Sequence, residues 1–161
     1  MKASSKTKQH KVTAKVKIQP PILVAIHVVL AFVLTWLIPL PLVVPPVLRA
    51  IGFLLVTLGF LLGIGALIAF RRARTMRKPD DSGARLVTSG IYRFTRNPVN
   101  LGFLLMEIGI PLNAGSFWGI LLAPIMVILF NRLVIEPEEE YLAHKFGDEY
   151  RSYRAKVRRW I

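Results

Sequence analysis

The chain contains no cysteine, which excludes disulfides, thiolate metal ligands and a cysteine nucleophile. Acidic residues are scarce: nine against 22 lysines and arginines, for a formal charge of +13. Its three histidines, His10, His27 and His144, are dispersed, so the sequence holds no cluster with metal-ligand spacing. Nor is there a glycine-rich turn between a strand and a helix, the mark of a soluble nucleotide-binding fold. Gly63 and Gly65 lie inside an apolar run and read instead as close helix packing.

What the chain has in excess is apolar side chains. They make up 53% of its 161 residues, against ~45–50% for a soluble domain. The positive charge alone would suggest nucleic acid. Beside such hydropathy it points to a membrane, with basic loops against anionic lipid headgroups and no nucleic acid. Residues 1–19 carry six lysines and too little apolar surface to fold, and are expected to be a disordered basic tail rather than a signal peptide. Residues 20–161 then form one domain.

A bilayer core needs about 20 apolar residues as helix. Residues 21–39, 47–70 and 116–135 meet that length, and 98–112 forms a shorter fourth span. The fold expected is all-α and integral to the membrane, with about four transmembrane helices. Of the 22 lysines and arginines, 21 fall in the tail, in the loop 71–97 or from Arg132 onward, and only Arg49 lies on the opposite side. By the positive-inside rule both termini and that middle loop are cytoplasmic. The expected location is a prokaryotic inner or plasma membrane, crossed several times.

The middle loop ends in "SGIYRFTRNPVNLGF". Asn97 before Pro98 reads as a helix start, with Asn as the cap and Pro at the first helical position. A helix N-terminus suits an anion, and Arg96 adds a fork for a carboxylate or phosphate. Asn100, Phe103 and Glu107 follow on one helix face. Glu107 is the only acid inside a span. It is either functional or a neutral carboxyl between helices. The segment 136–161 opens with Glu136, Glu138, Glu139 and Glu140, expected to start a new helix ending at Gly147. A second helix from Asp148 carries Tyr150, Tyr153 and Val157 as an apolar stripe, with Trp160 expected at the headgroup level. These acids, Asp148 included, would face the arginine loop. An anion site beside carboxylates suits a zwitterion such as S-adenosylmethionine, without singling it out.

These two segments resemble the isoprenylcysteine carboxyl methyltransferase family, which is related to the integral-membrane phospholipid methyltransferases. The resemblance runs roughly from residue 47 to 161, through "LVTSGIYRFTRNPVNLG" and "EEEYLAHKFGDEYRSYRAKVRRW". It implies a cytoplasmic pocket for S-adenosylmethionine capped by the C-terminal segment, and a lipophilic methyl acceptor arriving from the bilayer. It also implies that Leu86, Val87, Tyr92, Arg96, Asn97, Pro98, Asn100, Glu138 and Glu139 hold the cofactor, Glu138 the more strongly of the glutamate pair. The catalytic candidates are Arg96, Glu139 and Glu107, the two glutamates as bases if the acceptor is an amine. No metal is implied. Asn97 and Asn100 stand where the family has His and Tyr. Val134 stands where the prenylcysteine enzymes have an arginine, with Arg132 the nearest cation. Carboxyl O-methylation of an isoprenylcysteine-like substrate is the leading expectation. Phospholipid amine N-methylation, an NADPH-dependent membrane reduction and a non-enzymatic scaffold are the alternatives.

Overall fold

The computed structural model describes residues 18–75 and 85–161. The expectations for residues 1–17, and for 76–84 of the middle loop, lie outside the described residues. The described chain is helical throughout and has no strand: α1 (Pro20–Leu37), α2 (Pro46–Thr75), a 3₁₀ turn (Gly90–Arg93), α3 (Pro98–Asn113), α4 (Trp118–Phe130), a π-helical turn (Asn131–Ile135), α5 (Glu136–Phe146) and α6 (Asp148–Lys156). Three helical stretches, Pro20–Leu37, Pro46–Ala73 and Trp118–Phe146, are long and apolar enough to cross a membrane. They make the chain a multi-pass membrane protein by length and composition. At 16 residues α3 is shorter, and it packs among the others.

Proline places three of the six α-helix starts among the described residues. Pro20, Pro46 and Pro98 each sit at the first helical position, where a missing N–H removes nothing from the ladder. The glutamates open α5 at Glu136 and Gly147 follows its last residue, as expected, but α5 does not stand apart from the helix before it. α4 runs on through the π-turn into α5, and the Glu136 N–H donates to the Asn131 carbonyl. Pro137 cannot donate to the carbonyl four residues back. A wide turn at this point changes the hydrogen-bond register without breaking the rod.

The closest helix contact is a glycine seam between α2 and α3. A Cβ on Gly59 would come within 2.5 Å of the Gly102 carbonyl oxygen, and one on Gly109 within 2.6 Å of the Gly52 carbonyl oxygen. Both pairs are seven residues apart, the repeat that keeps one seam in register along two helices. Gly63 and Gly65 do not serve in that way. Nothing lies within 4 Å of a Cβ at Gly63, and one at Gly65 would meet only the Ile91 side chain at ordinary distance.

Leu23 and Val24 of α1 pack on Met126 and Phe130 of α4 and on Val134 and Ile135 of the π-turn. At one end of the bundle, Thr35 donates to the Ala31 carbonyl and accepts from the Ser116 hydroxyl at 2.6 Å. At that same end Asn113 donates to the Arg49 carbonyl and Trp118 to the Ile38 carbonyl. The 3₁₀ turn, α5 and α6 gather at the opposite, arginine-rich end.

Candidate active site

At the arginine-rich end a cavity of about 420 Å³ lies between the segment 85–100 and the C-terminal helices. Leu86 and Val87 border it from outside any helix, with Val87 packed on Ala66, Ala69 and Tyr92. Tyr92, on the 3₁₀ turn, meets the Phe70 ring edge-on at 5.6 Å. Arg96, Asn97, Pro98 and Asn100 form the wall at the start of α3, and Glu138 and Glu139 face them from α5. All nine residues matched through the family motifs thus border one space.

The turn before α3 is held by side chains rather than by the expected cap. Asn97 sits at the cap position, but its side chain bonds elsewhere. Its Nδ2 donates to the Arg159 carbonyl at 3.1 Å, and its Oδ1 accepts from Asn100 at 3.3 Å. The Asn97 N–H is satisfied by the Thr95 hydroxyl, which donates in turn to the Arg159 carbonyl. The Arg96 N–H donates to the Arg158 carbonyl at 3.0 Å. The end of the chain is therefore stitched along residues 95–97.

One carboxylate lies at the centre of the charges. Glu139 Oε1 is 2.9 Å from Arg96 Nη1, and Arg159 grips both oxygens through Nε at 3.2 Å and Nη2 at 2.8 Å. Glu139 and Arg96 are both about nine-tenths buried. Arg96 Nη1 also donates to the Tyr150 hydroxyl at 3.3 Å, while Arg96 Nε is buried with no partner. The bond to Glu139 holds the Arg159 guanidinium in its charged form, above its usual pKa. Three of the four tyrosines in the lining, Tyr92, Tyr150 and Tyr153, are buried. Burial raises the pKa of Tyr92, with Glu138 and Tyr153 adding to the effect. Burial and then Glu139 raise Tyr150, with Arg96 opposing them. Burial pushes Tyr153 up to about 12, and it donates to the Tyr92 carbonyl at 2.7 Å. All three phenols remain neutral donors at ordinary pH.

The other expected acids are elsewhere. Glu136 pairs with Arg132 and Asp148 with Arg151, both within their own turn of helix, and neither pair faces Arg96. Short i,i+3 and i,i+4 reach outcompetes the distant loop. Glu107 is fully buried in the bundle, neither carboxyl oxygen has a partner, and it does not border the cavity. Val134 does border it, whereas Arg132 is exposed. Trp160 does not lie out at the headgroup level. It packs on Phe130 and donates to the Asn131 side chain at 3.3 Å.

Arg159, Phe70 and the polar ends of Tyr150 and Tyr153 were not legible as site residues. Arg159 sits in a run of cations that reads as a headgroup-binding face, and the tyrosines share the period of an ordinary apolar stripe.

A phospholipid methyltransferase family model matches residues 47–149, from the start of α2 to the first turn of α6. Protein-S-isoprenylcysteine O-methyltransferase of Schizosaccharomyces pombe is 40% identical over 72 residues, which cover 45% of this chain and 30% of that enzyme. An uncharacterized protein of Haemophilus influenzae is 54% identical over 37 residues, 23% of this chain and 59% of its own length. Less than two thirds of either relative is therefore spanned. No solved structure matches the chain. The family match takes in the segment 85–100 and α5, which carry most of the cavity lining: the chain belongs to the phospholipid methyltransferase family of membrane methyltransferases.

Proposed function

We propose that this chain transfers a methyl group from S-adenosylmethionine to a lipophilic acceptor that reaches the cavity from the bilayer. The proposal includes cytoplasmic placement of both ends of the chain, where 21 of the 22 lysines and arginines collect. One observation carries it. A single cavity is bordered at once by an arginine with an unpartnered buried donor, Arg96, and by Glu138, which pairs with no described residue. A free donor of positive charge and a free carboxylate in one apolar pocket fit an amino-acid zwitterion.

Arg96 would take the carboxylate of S-adenosylmethionine and Glu138 its ammonium, with Leu86, Val87 and Tyr92 against the rest of the molecule. Bound there, it supplies an electrophilic methyl group on a positively charged sulfur. The chain's own part is orientation and the exclusion of water. Apolar side chains make up most of the wall, and the neutral phenols add donors without adding charge. Neither expected base is free in this geometry. Both oxygens of Glu139 are occupied by guanidinium groups, and Glu107 is off the cavity. An acceptor that needs no base, such as a carboxylate on a hydrophobic body, is therefore favoured over an amine.

Calorimetric titration of the detergent-purified protein with S-adenosylhomocysteine tests this reading, with Arg96→Ala as the control. Micromolar binding that Arg96→Ala loses while staying folded supports it. A folded wild-type chain that ignores S-adenosylhomocysteine but binds NADPH would overturn it in favour of a reductase.

A further inference from the structure

We infer that Arg159, two residues before Ile161, is a positioning residue that keeps Arg96 available to a bound carboxylate. The inference rests on the cofactor reading above and extends it to a residue outside both family motifs' charged pairs.

The argument starts from what Glu139 would do alone. An arginine and a carboxylate in a dry site prefer a two-pronged pair, each oxygen taking one N–H. Here that arrangement belongs to Arg159: its Nε reaches Oε1 and its Nη2 reaches Oε2. Arg96 is left with one contact to Glu139, Nη1 to Oε1 at 2.9 Å, beside its bond to the Tyr150 hydroxyl, and its Nε stays buried and unpartnered. An orphaned guanidinium N–H is unfavourable in a folded protein unless something comes to use it. The three groups also carry a net single positive charge, two guanidiniums against one carboxylate. Without Arg159 the balance is zero, and Glu139 is free to swing into a fork with Arg96. Both changes remove what an incoming carboxylate would need.

The main chain holds Arg159 in place independently of its side chain. Its carbonyl accepts from Thr95 Oγ and from Asn97 Nδ2, the Arg158 carbonyl accepts from the Arg96 N–H, and Trp160 anchors on Phe130 and Asn131. The guanidinium can therefore be removed while the strap remains. Its side chain is 30% exposed against 9% for Glu139 and does not border the cavity, so its place is behind the carboxylate.

The experiment is a double-mutant cycle on S-adenosylhomocysteine affinity, using the full chain in detergent with thermal midpoints recorded for every variant. Arg159→Ala is expected to weaken binding about tenfold, the low end of what removing an outer supporting partner does elsewhere. Arg159→Lys, which restores the charge without the fork, should recover part of it. In a Glu139→Gln background, Arg159→Ala should cost clearly less than in the wild type, because the fork it holds is already gone and only its charge remains to be lost. Full affinity in Arg159→Ala, or losses that simply add in the double variant, would overturn the inference while leaving the cofactor reading intact. A folded wild-type chain that does not bind would overturn the cofactor reading, and this inference with it.

Discussion

The hydroxyl of Tyr153 donates a 2.7 Å hydrogen bond to the main-chain carbonyl of Tyr92, joining α6 to the 3₁₀ turn across 61 residues of sequence. Both residues are nearly buried, so the carbonyl has little access to water if the phenol is removed. Tyr153→Phe is expected to lower stability by about 1–3 kcal/mol, the range for leaving a buried acceptor unmet. Burial of the same phenol sets a pH dependence. Tyr153 titrates near 12 in the fold against an ordinary 10. A folded pKa above the unfolded one means the contribution is complete below pH 10 and is lost as pH rises toward 12. A thermal-midpoint series from pH 9 to 12 should therefore fall in the wild type and fall less in Tyr153→Phe. Parallel curves would show that this phenol does not hold the turn.

The glycine seam gives a paired test. Gly59→Ala puts a Cβ within 2.5 Å of a backbone oxygen on α3, where no side chain can give way. A loss of about 1–3 kcal/mol is expected from such overpacking. Gly63→Ala, four residues on, meets nothing within 4 Å. It should be neutral, or stabilising by up to ~1 kcal/mol through helix propensity. Equal midpoints for the two variants would mean that α2 and α3 do not approach as closely as described.

Hydropathy alone was enough for the membrane-crossing helices, because length and proline punctuation are local signals. The segment 86–100 was legible for the same reason: its wall residues are close in sequence and one turn brings them together. What was not legible depends on competition between partners. Nothing in "EPEEE" says that Glu139 turns to Arg96 while Glu136 is taken by Arg132 four residues earlier. That choice depends on the phase of a helix whose register is shifted by the π-turn. The seven-residue spacing of Gly52 with Gly59 and of Gly102 with Gly109 was present as a signal, but Gly63–Gly65 looked denser. The last residues were misplaced because Trp160 beside arginines has the same pattern whether it faces headgroups or closes a core.

Glu107 offers a prediction of opposite sign. A fully buried carboxyl with both oxygens unpartnered loses its hydration on folding and gains no bond in return. Pro111, four residues on, also lacks the N–H that would meet the Glu107 carbonyl. Glu107→Met keeps the volume and removes the polar group. It should raise the thermal midpoint by about 2–4 °C, the shift that ~1 kcal/mol gives in a chain of this size. A lowered midpoint would show that the carboxyl has a stabilising partner after all.

The sidedness of the bundle can be read with single cysteines, since the chain has none of its own to confuse the result. Val43 is 87% exposed in the hairpin between α1 and α2, and Ala155 is exposed on α6 at the arginine-rich end. If the 21 clustered cations set the orientation, Val43→Cys faces outward and Ala155→Cys faces the cytoplasm. A membrane-impermeant maleimide added to intact cells should then label Val43→Cys at once and Ala155→Cys only after permeabilisation. The reverse pattern would place the cavity and both walls of the site on the outer face. S-adenosylmethionine is made inside cells, so that result would also argue against it as the ligand of Arg96 and Glu138.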